Sequence, residues 1–130
     1  MGVTVYDFKG KHQANSVAEL DTLLEKRYGS EVNGFWISHE DERHPVMCLL
    51  AKNDLSTLLY IPSDGHPGFL PKGSVEGLED QNFTTFSIDS AEQELEVLDS
   101  QVIPLSAALS AAMDFFELSE LPKSIKWDEL

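Results

Sequence analysis

Val46-Met47-Cys48-Leu49-Leu50-Ala51-Lys52-Asn53-Asp54-Leu55-Ser56-Thr57-Leu58-Leu59-Tyr60-Ile61 carries the strongest structural signal in the chain. Two apolar-rich runs flank Asn53-Asp54, residues that tolerate the left-handed conformation of a tight turn, so the stretch predicts a β-hairpin. Working outward, Gly34 to Ser38 reads as a strand before it, and Val3 to Phe8 alternates as a first strand or an arm. Phe83 to Ile88 and Glu94 to Leu98 alternate after it, with Leu98 breaking the second pattern, and Ser124 to Trp127 closes the chain as a short strand. Two helices frame these strands. Ser16 followed three residues later by Glu19 is a capping box, and Val17, Leu20, Leu23, Leu24 and Tyr28 recur at helical spacing up to Gly29. Pro104 opens a second helix with an apolar stripe of Leu105, Ala108, Leu109, Ala112, Phe115 and Phe116, ending near Ser119. The expected class is α+β: an antiparallel sheet of about five to six strands with two main helices, one domain over residues 1–130.

Charge is distributed unevenly. Between Gly73 and Pro122 there are eleven carboxylates and no Lys or Arg, whereas the first 72 residues hold ten acids and seven bases. That single stretch therefore supplies most of the net charge of −14. Such a field either keeps the chain soluble or attracts something basic. It argues against nucleic acid as a direct partner, because few cations are available to displace phosphate counterions. At 42% hydrophobic residues the chain can bury a core, so disorder is not expected. No apolar run approaches the length of a membrane span, and Met1 to Val5 shows neither a secretory leader nor an acylation signal. The lone cysteine, Cys48, sits in an apolar run and reads as a buried, inert thiol. The expected compartment is the cytoplasm.

The residues that could carry chemistry give little support for an enzyme. His39-Glu40-Asp41-Glu42-Arg43-His44 approximates the zinc motif H-E-x-x-H, but its second histidine comes one residue late and Pro45 follows. Positions i and i+5 do not share a helix face, so a polar turn is expected and no metal or other cofactor. Asp64 and His66, in the Gly- and Pro-rich loop from Pro62 to Gly77, could pair as a general base, yet no nucleophile motif accompanies them. Catalytic residues are therefore expected to be none.

Binding residues are more legible. Glu92, Glu94 and Glu96 would project from one strand face, either as a solvated edge that prevents aggregation or as an anionic surface for a basic partner. Phe69 and Leu70 lie outside any periodic pattern, and would form either an interface centre or a small satellite core. The candidate contact set is Asp64, His66, Phe69, Glu76, Glu79, Asp80, Asp89, Glu92, Glu94 and Glu96.

Val102-Ile103-Pro104, then Ala107-Ala108 through Phe115-Phe116, then Leu121-Pro122-Lys123-Ser124-Ile125-Lys126-Trp127 resembles the closing signature of the Imm1 immunity-protein family. The hairpin with Ala51-Lys52-Asn53-Asp54, the loop from Pro67 to Ser74 and the end Trp127-Asp128-Glu129-Leu130 are similar as well, in particular to members paired with double-stranded-DNA cytosine deaminase toxins. The chain departs from the pattern at Glu120-Leu121, where the family often has Gly-Glu-Arg. The resemblance implies a non-catalytic antitoxin that binds one basic, nucleic-acid-targeting toxin domain one to one and blocks it. It also implies that Pro104, Phe115, Pro122 and Trp127 maintain the fold. An acidic adaptor of similar fold, its charge serving solubility alone, is the alternative.

Overall fold

In the computed structural model, residues 2–29, 31–40, 42–73, 75–79 and 82–130 are described. The strands are β1 (Val3–Asp7), β2 (Gly10–Ala14), β3 (Val32–His39), β4 (Val46–Lys52), β5 (Leu55–Ile61), β6 (Phe69–Pro71), β7 (Phe83–Ser87), β8 (Glu94–Leu98), β9 (Ile103–Pro104) and β10 (Trp127–Glu129). The helices are α1 (Val17–Leu24) and α2 (Leu105–Leu118). Seven strands run in the order β10-β6-β5-β4-β3-β1-β2, with β9 pairing β5. Strands β7 and β8 form a separate two-stranded sheet, and every pairing is antiparallel. The class is α+β as expected, with two helices, but the main sheet has eight strands rather than five or six.

The decisive hairpin is β4–β5, registered Val46 to Ile61 and Lys52 to Leu55 about a turn in which Asn53 is left-handed (φ 53°). Its unbroken apolar character has a cause: β4 is covered on both faces. Met47, Leu49 and Ala51 face α1 and α2, packing with Phe35, Ile37, Leu58, Leu20, Leu24, Ala108, Ala112 and Phe115. Cys48 and Leu50 face the other way, into a second cluster with Phe86, Val97 and Val102. The molecule thus has three layers: helices, main sheet, and the β7–β8 hairpin with its neighbouring loop. Burial pushes the Cys48 thiol pKa upward, which keeps it protonated and inert.

The second layer-to-layer contact is polar as well as apolar. Lys52 Nζ reaches across from β4 to donate to the Thr85 carbonyl at 2.9 Å. The Trp36 indole N–H donates to Asp89 Oδ1 at 3.0 Å, and Thr57 Oγ1 donates to the Gln101 carbonyl at 2.8 Å. Glycine is required at one point of this layer: a Cβ on Gly73 would fall 1.9 Å from the Val102 carbonyl oxygen, and the Gly73 amide donates to Ser100. That close approach ties the loop after β6 to the segment leaving β8.

Helix α1 has the expected capping box, with Ser16 Oγ accepting from the Glu19 amide and Glu19 accepting from the Asn15 amide. It ends at Leu24, not near Gly29. The Arg27 guanidinium donates to the carbonyls of Leu24 and Lys26, and Asn33 Nδ2 also donates to Lys26, so side chains take the carbonyls that a further turn would use. Tyr28 instead bridges to Val32. At the other end of the fold, α2 stops at Ser119, which is left-handed (φ 58°). His39 secures that end: Nε2 donates to the Phe116 carbonyl at 3.0 Å, which leaves Nδ1 to accept from Ser119 Oγ at 3.2 Å. The histidine that opened the zinc-like motif is therefore a helix cap packed at a tilt against Phe115. Trp127 donates to the Pro122 carbonyl and packs on Tyr60, closing the sheet edge at β10. Among the described residues, no helix is long and apolar enough to cross a membrane.

Asp7 is the polar hub on the far side. Its buried carboxylate accepts from the Lys9 amide, His12 Nε2, Tyr28 Oη and Asn33 Nδ2, at 2.8 to 3.4 Å. Burial pushes its pKa up, but the Lys9 amide, His12 and Asn33 together outweigh that and hold it below the ordinary carboxylate value. A depressed folded pKa adds stability that is present above the unfolded value and lost as pH falls through the folded one. That loss sets in below about pH 4. Asp7→Asn is expected to cost about 1–3 kcal/mol at pH 7 and to shrink that acid dependence, as urea unfolding at pH 7 and pH 3 would measure. An unchanged slope would remove Asp7 from the explanation.

Candidate functional site

The carboxylates of the 73–122 stretch become a surface because of how the third layer is built. Between Gly73 and the start of β7, Val75 and Leu78 pack into the second cluster, which leaves Glu76 and Glu79 exposed. In the hairpin, Phe86 and Val97 face the main sheet, which leaves Glu94 and Glu96 in solvent, opposite Ser87 and Thr85. Strand β8 begins at Glu94, so Glu92 stands in the preceding turn instead of extending the row of three. Asp89, exposed and left-handed (φ 66°), is fixed by the Trp36 indole. The structure thus brings Glu76, Glu79, Asp89, Glu92, Glu94 and Glu96 to one side of the main sheet. Asp80 lies outside the described residues.

Among the described residues, no cation pairs with this group. Among the described residues, the ion pairs are His12 with Asp7, His66 with Glu129 and Lys72 with Asp128, none drawn from the 73–122 acids. Lys52, which does reach the hairpin, gives its ammonium to a carbonyl. Asp99, the exception in burial, accepts from Thr84 Oγ1 at 2.6 Å and serves the hairpin's own closure.

Asp64, His66 and Phe69 lie elsewhere, at the β6–β10 edge. His66 does not pair with Asp64. Its Nδ1 accepts from the Gly68 amide at 2.8 Å, so Nε2 carries the proton and donates to Glu129 at 2.9 Å. The ring stacks on Phe69 at 5.3 Å between centroids. Phe69 in turn belongs to β6, pairs with Tyr60 and Glu129, and packs half-buried against the main core. The loop read from Pro62 to Gly77 thus contains a strand, and Phe69 joins the main core rather than a separate satellite one. Asp64 is exposed in the turn before them.

Two residues that sequence reading passes over stand at the open end of the hairpin, on the same face as Glu94 and Glu96. Phe83 and Leu98 are cross-strand partners on the outer face of the hairpin, and both are exposed. The available signal was Leu98 itself, the residue that interrupts the alternation of β8.

Comparison with known protein families finds no match, so the Imm1 name stays a resemblance. The chain is similar to the double-stranded DNA deaminase immunity protein of Burkholderia cenocepacia (strain H111), at 25% identity over 124 residues. The alignment covers 95% of this chain and 97% of that protein, so it spans both sequences nearly end to end.

Proposed function

We propose that this chain is an immunity protein: a single-domain, non-catalytic cytoplasmic antitoxin that binds one basic toxin domain acting on nucleic acid, a cytosine deaminase, and blocks it. The observation that carries the reading is the near end-to-end similarity to a deaminase immunity protein. The electrostatics support it independently. A domain that acts on DNA holds a polyanion and so presents a basic channel, and an acidic surface from a stretch with no Lys or Arg of its own is attracted to the same channel. Contacts come from the exposed acids Glu76, Glu79, Asp80, Asp89, Glu92, Glu94 and Glu96, with Asp64, His66 and Phe69 at the neighbouring edge. Nucleic acid itself is not bound.

The test uses the cognate deaminase domain, which the reading expects to be encoded beside this chain's gene. Deamination of duplex DNA by that domain is followed while this protein is added. Activity is expected to fall linearly and reach baseline at one equivalent. Full activity in several-fold excess overturns the reading.

A further inference from the structure

The alternation of the β7–β8 hairpin sorts its side chains onto two faces. Thr84 opposite Val97 and Phe86 opposite Leu95 form the inner face. Phe83 opposite Leu98, Thr85 opposite Glu96 and Ser87 opposite Glu94 form the outer one. The inner face is anchored by Phe86 and Val97, which are 1% and 7% exposed. On the outer face, Phe83 is 56% exposed and Leu98 36%. Neither belongs to a core cluster. The hairpin is already held by its inner face, by Lys52 and by Trp36, and the outward apolar pair leaves much of its surface in water. Polar residues would serve a solvated face better, as the exposed Glu94 and Glu96 illustrate.

We infer that Phe83 and Leu98 are the apolar centre of a docking surface whose rim is Glu94 and Glu96, and that its occupant is a basic protein domain offering an apolar side chain ringed by Lys or Arg. A desolvated apolar centre inside a charged rim is the usual anatomy of a specific interface. Charge complementarity selects the occupant. A second copy of this chain would set carboxylates against carboxylates, and this chain has no base between Gly73 and Pro122 to relieve that. Naming the occupant as the toxin domain rests on the proposed function. The two parts of the surface then act at different stages: the carboxylates speed encounter, and the apolar pair slows escape.

Binding kinetics to the toxin domain encoded beside this chain separate the two claims. Phe83→Ser and Leu98→Ser are each expected to raise the dissociation rate roughly tenfold or more, with the association rate within about twofold and the melting temperature unchanged. Leu118→Ser is the control. Leu118 is 64% exposed on α2, which covers the opposite face of the sheet, and its replacement should change neither rate. If the wild-type chain binds and both hairpin variants dissociate like it, the inference is overturned and the immunity reading stands. If the wild-type chain does not bind, the immunity reading falls and takes this partner with it. If the variants abolish a dimer of the chain itself, seen by sedimentation, the occupant is a second copy and the inference is overturned.

Discussion

Replacing Glu92, Glu94 and Glu96 by Lys is expected to slow association with the toxin domain by roughly 10²-fold at low salt and to flatten its dependence on ionic strength. Between Phe83 and Leu98 the chain carries Asp89 and these three glutamates and no base, so the triple reversal turns the hairpin from net negative to net positive. Long-range steering depends on that local sign, and screening within a Debye length removes it. The wild-type rate should therefore fall steeply as salt rises, while the variant's stays nearly level. Folding should be unaffected, because all three side chains are exposed and none of them is a partner in an ion pair or side-chain hydrogen bond of the described residues. Stopped-flow association at two or three salt concentrations measures the effect. Equal rates for wild type and variant would make the three glutamates solubilising charges only.

Phe115→Ala should have the largest effect on stability, about 3–5 kcal/mol. Phe115 is fully buried where α2 crosses the sheet, edge-on to Tyr60 at 6.0 Å and beside His39 at 5.0 Å. Its neighbours on the helix, Ala108, Ala111 and Ala112, are small and already close to the strands, so they cannot move in to fill the space. A cavity of that size should lower the melting temperature by about 10 °C or more. In urea, the midpoint should shift with little change in slope. The contrast with Phe83 is informative: two phenylalanines in one small fold, one removable only at the cost of the fold and the other removable without it. A melting temperature within about 2 °C of wild type for Phe115→Ala would contradict the assignment of the helix–sheet core.

What was legible in the sequence follows from how local each signal is. The β4–β5 hairpin and α2 announce themselves because their periodicity and turn chemistry lie within the elements. Strand β2 does not, since only Ala14 of Gly10–Ala14 is fully buried and Lys11 and Gln13 are exposed at a sheet edge. Strand β6 is three residues in a Gly- and Pro-rich stretch, and becomes a strand only through Tyr60 and the distant β10. The length of α1 was overestimated because apolar spacing continued to Tyr28, while the capture of its carbonyls by Arg27 and Asn33 depends on tertiary placement. The acidic layer was readable because exposed carboxylates need no partner to be exposed. Phe83 and Leu98 were not, because an apolar residue in a strand reads as core until the cross-strand register shows which face it takes. The pairing of His66 with Glu129, 63 residues apart, has no sequence signal at all.

The most direct test is displacement of a fluorescent DNA duplex from a catalytically dead form of the toxin domain. Under the proposed function this protein should release the duplex one for one, its acidic layer competing with the DNA for the same basic channel. A stable ternary complex of toxin domain, duplex and this protein would contradict that claim.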